Sequence, residues 1–158
     1  MQWAGLIAVG ATVLDVAAGG GRHSRFFADR GHKVTALDRD TSALASHPDI
    51  EIVQADLEDG SSWLLPGRTF GAVVVTNYLH RPLFPALLDA LAPGGVLLYE
   101  TFMEGNERFG RPSNPAFLLK DGELLDLARG RLSVTAYEAR MISAPRMAMV
   151  QRIAARRP

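Results

Sequence analysis

The sequence predicts an α/β fold: a doubly wound seven-stranded sheet, mostly parallel, with an antiparallel C-terminal hairpin strand. Three observations carry this. Five short apolar runs, 12–17, 33–37, 51–55, 72–76 and 96–100, recur with helix-like or turn-like segments between them. Such alternation marks buried parallel strands covered on both faces. Two further runs, 132–142 and 148–156, are rich in apolar and β-branched residues and are separated by Ser143-Ala144-Pro145-Arg146. They read as a hairpin that closes one edge of the sheet. Finally, Val13-Leu14-Asp15-Val16 runs into Ala17-Ala18-Gly19-Gly20-Gly21, and Val34-Thr35-Ala36-Leu37-Asp38 follows. That is an acid-bearing strand, a glycine turn, a helix and a second acid-ended strand, the form of a nucleoside-binding unit.

Helices are expected at 22–30, 42–46, 82–91 and 122–128. In the third, Pro82 and Pro85 fall in or near the first turn, where proline is tolerated, and Pro93-Gly94-Gly95 ends the helix. Residues 102–117 hold several glycine and proline turn signals together with Glu104, Glu107, Arg108 and Arg111. A loop so rich in charge reads as a wall of a site more than as a connector.

The 158 residues, 47% hydrophobic, suit a single domain spanning 1–158 with a short segment before the first strand. Seventeen basic and seventeen acidic side chains cancel, which disfavours a long polyanionic partner and favours a small-molecule substrate. Residues Arg152, Arg156 and Arg157 are too few for a nucleic-acid footprint and read as a solvated tail. Cysteine is absent, in keeping with a reducing compartment. The apolar stretch 3–9 is interrupted by Gly5, is followed by Gly10 and has no basic leader, so neither a signal peptide nor a membrane span is expected. The expected protein is cytoplasmic, a monomer or homodimer, with no nucleic-acid or membrane partner. The four histidines have no metal-ligand spacing, and no metal is predicted.

Asp15 lies inside an apolar strand, where an unpaired carboxylate is costly to bury. Asp38 lies nineteen residues after Gly19 and can accept two ribose hydroxyl hydrogens. A similar spacing occurs in nicotinamide-binding folds, so spacing alone leaves the cofactor open. The dinucleotide pattern is weakened by Arg22-His23 before Ser24, and no phosphate-loop Gly-Lys-Ser or Gly-Lys-Thr occurs. Asp56 either caps Leu57-Glu58-Asp59 or accepts from an exocyclic amine, with Leu57 beside it, while Arg39 either covers a base or projects into solvent. Asn77, Tyr78, His80 and Arg81 follow the fourth strand at the carboxyl edge, where open α/β sheets place ligands.

With these residues in view, the chain resembles the class I S-adenosylmethionine-dependent methyltransferases, a Rossmann-like family, over essentially its whole length. Asp15 followed by Ala17, Gly19 and Gly21 is similar to the family's first motif, with alanine in place of the first glycine. That replacement costs little if φ at Ala17 stays negative. Asp38, Asp56-Leu57 and Thr76-Asn77-Tyr78 match the positions after strands two, three and four, and Leu91-Ala92-Pro93-Gly94-Gly95 looks like the stretch before strand five. Asn77-Tyr78-Leu79-His80-Arg81-Pro82, Tyr99-Glu100-Thr101-Phe102 and Gly110-Arg111-Pro112-Ser113-Asn114-Pro115 look like a bacterial branch related to tellurite-resistance-type methyltransferases.

The resemblance implies S-adenosyl-L-methionine as cofactor, bound by Asp15, Ala17, Ala18, Gly19, Gly21, Asp38, Arg39, Asp56, Leu57 and Asn77. It implies methyl transfer to a small molecule, with Tyr78, His80 and Glu100 as candidate bases and Arg81, Asn106, Phe109, Arg111 and Asn114 facing the acceptor. Family members usually carry helices ahead of the first strand, whereas residues 1–11 here leave little lid. Two other readings stay open at this point: a nicotinamide-dependent oxidoreductase and a catalytically silent cofactor-binding module.

Overall fold

The computed structural model describes residues 2–158. Seven strands form one sheet: β1 (Val13–Val16), β2 (Val34–Asp38), β3 (Ile50–Gln54), β4 (Phe70–Thr76), β5 (Leu91–Phe102), β6 (Ser133–Ile142) and β7 (Ala148–Arg156), in the order β3-β2-β1-β4-β5-β7-β6. Strands β1 to β5 pair in parallel, and β7 runs antiparallel to both β5 and β6. The centre of the sheet is where the sequence is most continuously apolar. All of β1 is buried, and Ala72 to Val75 of β4 have no exposed surface. A fully buried Val or Leu stabilises the fold by about 1.5–3 kcal/mol, so this central pair is the main apolar anchor. The edge strands β3 and β6 are largely exposed.

Side chains alternate across the sheet. Leu14, Val16, Val73, Val75, Leu97 and Tyr99 point to the face covered by α2 (Phe84–Asp89) and α3 (Glu123–Ala128). Val13, Val34, Val74, Val96 and Leu98 point to the face covered by α1 (Arg22–Ala28) and by Trp3, Leu6 and Ile7 ahead of β1. Helices on both faces make the sheet doubly wound, with the β1–β4 crossover opening its carboxyl edge.

The expected helix at 42–46 is absent. Asp40 accepts the Ser42 amide at 3.0 Å and the Leu44 amide reaches Thr41 O, so the segment closes as a turn. Side-chain capping of this kind competes with helix in so short a run. The expected helix at 82–91 is split into a 3-10 turn, Arg81–Leu83, and the shorter α2, while residues 92–95 form a bulge within β5 and do not simply end a helix. At Gly95 a Cβ would stand 2.8 Å from Ala92 O and 3.0 Å from Phe70 O.

The basic ending is not a solvated tail. Arg156 donates to Gly94 O and, at 3.1 Å, to Leu6 O, and Arg157 donates to Leu91 O. Arg152 is mostly buried between Glu100 and Glu138. These arginines stitch β7 to the bulge and to the segment before β1.

Replacing Gly95 with alanine forces a methyl group against two backbone oxygens. Gly95→Ala is expected to cost about 1–3 kcal/mol. Gly5→Ala, which meets open space, should stay within about 0.5 kcal/mol in urea denaturation.

Candidate functional site

A cleft of about 350 Å³ opens at the carboxyl edge of the sheet. Its floor and walls include Ala17, Asp38, Arg39, Asp56, Leu57 and Tyr78, all marked by the sequence, together with Ala55, Glu58 and Phe117, which were not.

The β1–α1 turn puts three residues in the left-handed region, Ala17 at φ 55, Gly19 at φ 54 and Gly21 at φ 72. The condition under which alanine would cost little here, a negative φ, is therefore not met. Closing a buried strand into α1 in so few residues needs this alternation, and Ala17 carries the strain. A Cβ on Gly19 or Gly20 would meet no protein atom within 4 Å, so the bare backbone faces open space. Gly21 has a different part, since Leu44 Cδ2 covers it at 2.7 Å from the Cβ position.

The turn also fixes a carboxylate. Gly19 donates its amide to Asp38 Oδ2 at 2.7 Å and Asp40 donates to Oδ1 at 2.9 Å. Each oxygen keeps a further lone-pair direction for a ligand. Asp15 lies below, 2% exposed, and accepts the Ser24 hydroxyl at 2.6 Å. Burial raises its pKa to about 6, against the lowering effect of Ser24, and neighbouring Asp38 raises it further. No cation pairs with Asp15 or Asp38 among the described residues. Ser24 could not be picked out from sequence, because its contact depends on which side of α1 meets β1.

Asp56 turns one oxygen to the Glu58 amide at 2.9 Å, the capping role, and leaves the other to the cleft it lines. Ala18 donates to Leu37 O, and Asn77, at φ 56, donates to Glu100 O, so both act through backbone placement.

Three expectations on the catalytic side need correction. Glu100 forms an ion pair with Arg152, 2.8 Å from Nε, and shares the Leu98 face with Trp3. Tyr78 packs against the opposite face. Glu100 is thus neither free nor turned toward the cleft, because strand alternation sends it the other way. Tyr78 lines the cleft, but burial, with Glu58 nearby, holds its phenol well above its ordinary pKa. Its buried hydroxyl has no partner within 3.5 Å among the described residues, with Glu58 the nearby acceptor, and at neutral pH it is no base. The His80 ring makes no hydrogen bond among the described residues and does not line the cleft.

On the acceptor side, Arg81 and Asn106 face inward. Arg81 spends its guanidinium on Glu123 (2.6 and 2.9 Å) and on Ala116 O and Leu118 O (2.9 Å each). Asn106, 2% exposed, donates to Pro112 O and accepts the Met149 amide. Polar groups so fully engaged within the protein are pins of the loop, not ligand contacts. Phe109 lies beside Arg108, its ring centroid 5.9 Å from the guanidinium carbon, outside the cleft. Arg111 and Asn114 line a neighbouring groove whose wall is also Phe117.

A seven-stranded sheet with this strand order, a glycine turn under a cleft and acids after β2 and β3 together define a nucleoside-cofactor α/β enzyme. A family model described as a methyltransferase domain matches residues 13–95, more than half of the chain, and the protein belongs to that family. S-adenosylmethionine is that family's cofactor, and this decides against the nicotinamide alternative. Solved structures share the fold. TehB from Haemophilus influenzae superposes with a TM-score of 0.79 at 17% identity, covering 99% of this chain, which spans 60% of TehB's length. An S-adenosylmethionine-dependent methyltransferase from Mesorhizobium loti gives 0.75 at 18% identity, covering 99% and 97% of the two chains. The glycopeptide N-methyltransferase MtfA, solved with S-adenosyl-L-homocysteine, gives 0.69 at 22%, covering 99% and 87%. No curated protein is similar enough in sequence to count as a relative.

Left-handed alanine costs about 1–2 kcal/mol, and glycine's extra freedom in the unfolded chain costs about 0.4–1. Ala17→Gly should therefore hold or raise stability, by up to about 1.5 kcal/mol in urea; a loss of that size would show that the methyl group is needed for packing. For Arg81→Gln, hydrogen exchange at Ala116 and Leu118 should rise at least tenfold, because two carbonyls and Glu123 lose their donor.

Proposed function

We propose that this protein transfers the methyl group of S-adenosylmethionine to a small-molecule acceptor. The observation that carries the reading is a pair of carboxylates, Asp15 and Asp38, set at the carboxyl ends of adjacent strands beside a cleft and without an ion-pair partner among the described residues. Two acids held this way favour a ligand that brings hydroxyl donors and positive charge. The donor set fits the cofactor: Asp38 for the ribose hydroxyls, Asp56 and the Leu57 amide for the base, Arg39 and Tyr78 beside the base, and Asp15 below the cationic end. The exposed backbone of Gly19 and Gly20 lets a ligand approach closely.

When bound, the cofactor supplies an already activated methyl group on a sulfonium. The residues of the chain have the simpler task of orienting reactants and excluding water. Tyr78 serves as a neutral donor, its hydroxyl buried and without a hydrogen-bond partner among the described residues. Phe117 closes the cleft as an apolar wall on the side of the loop after β5. Since Glu100 is paired elsewhere and Tyr78 is not a base, the reading favours an acceptor that needs no strong protein base. Among the described residues no helix is long and apolar enough to cross a membrane.

Calorimetry with S-adenosylmethionine tests this directly. Asp38→Ala should weaken binding at least tenfold, about the value of one hydrogen bond to a charged group; undiminished affinity would overturn the assignment. Asp15 gives an independent signature. Its folded pKa of about 6 exceeds the ordinary 3.8 of an aspartate, so between these pH values the folded form binds the extra proton. The ligand-free protein therefore loses stability as pH rises from about 4 to about 6, by up to about 3 kcal/mol. Asp15→Asn should flatten that dependence and stabilise the ligand-free protein at pH 7.5, while weakening S-adenosylmethionine binding at least tenfold.

A further inference from the structure

Phe117 has two sides. One lines the cofactor cleft and the other walls a separate open groove of about 470 Å³, formed with Arg111, Pro112, Ser113, Asn114 and Arg146. No acidic residue lines that groove. Seven cations elsewhere, Lys33, Arg68, Arg81, Arg129, Arg131, Arg140 and Arg152, are ion-paired, whereas neither arginine of this groove is. The Arg111 guanidinium makes no hydrogen bond or ion pair among the described residues. Arg146 gives one nitrogen to Arg111 O at 3.0 Å and lies 5.4 Å from the Phe102 ring centroid, without a carboxylate.

The walls are held in place by Arg81 and Arg146 from outside the loop and by Asn106 from within it. Arg146 pins Arg111 O, Asn106 pins Pro112 O, and Arg81 pins Ala116 O and Leu118 O on either side of Phe117. The Asn114 side chain caps its own turn by accepting the Ala116 amide at 3.0 Å. Four carbonyls are thus fixed, and the Arg111 head group is left uncommitted beside them. Bringing two like charges to one groove costs free energy that an anion between them removes. The planar fork of a guanidinium matches a carboxylate or phosphate with two parallel hydrogen bonds.

We infer that this groove binds an anionic group, a carboxylate or a phosphate, carried by the methyl acceptor, with Arg111 and Arg146 as its cationic walls. The acceptor's body then passes Phe117 to reach the cleft. The word acceptor rests on the methyl-transfer reading; the anion site itself does not.

The test is a titration of the ¹⁵N-labelled protein with inorganic phosphate and, separately, sodium acetate, following backbone amides, with S-adenosylhomocysteine affinity measured on the same samples. Saturable shifts centred on Ser113, Asn114 and Phe117 are expected, and the tighter probe names the acceptor's anionic group. Arg111→Gln removes no contact within the protein and should weaken probe binding at least tenfold. Arg146→Gln should do the same, Arg146→Lys should recover part of the affinity, and Arg129→Gln, a distant exposed arginine, should change nothing. Shifts that do not saturate, that spread equally over exposed arginines, or that persist in Arg111→Gln overturn the proposal. Intact cofactor binding with no groove response sinks the anion site alone, whereas groove saturation without S-adenosylhomocysteine binding sinks the methyl-transfer reading alone.

Discussion

A carboxylate in the interior of the sheet is the constraint around which this protein is arranged. Asp15 occupies a strand with full burial on both sides of the chain and, among the described residues, finds its partner in Ser24 alone. Burial there disfavours the charged form, and Asp38 adds to the cost instead of relieving it. The neighbouring turn is strained at Ala17 in order to bring Gly19 onto Asp38. Free energy is therefore stored where a ligand with donors and positive charge can recover it, as is common at sites that are built for binding.

The surrounding architecture keeps this strained centre in register. Alternation along the strands separates two chemistries that lie close together in the sequence. Tyr99 packs behind Tyr78 and donates to its carbonyl, while Glu100 turns to the other face and joins Arg152 and Glu138. That polar row also takes hold of Gln2, so the segment ahead of β1 is held to the sheet by hydrogen bonds as well as by Trp3. The loop after β5 is held from the other side by Arg81, and its own Asn106 ties it to β7 by accepting the Met149 amide. Charged residues here do structural work that a sequence reading assigns too readily to ligands.

Much of the fold was legible because its strongest signals are local. Apolar runs gave all seven strands, and the acids at 15, 38 and 56 with the glycine turn marked the cleft. What escaped was decided by contacts between distant residues. The segment 42–46 has helix-like composition, yet Asp40 captures its first amide. Glu100, Arg81 and Asn106 stand at plausible positions for catalysis or substrate contact, but their partners lie 52, 42 and 43 residues away and use up their polar atoms. Phe117 belongs to a loop with no periodicity to read, and only the folded chain brings it over the cleft.

Strand order has a consequence for how the molecule is assembled. Because β7 lies between β5 and β6, its residues supply both neighbours with their ladder partners, although they come last among the strands. On a ribosome β6 emerges with nothing to pair with, and β5 has one bare edge, until Arg156 has left the exit tunnel. Unpaired edges of that kind are prone to pair with other chains. The nascent polypeptide therefore passes through a stage, before β7 is available, in which these two strands are open to pairing with other chains.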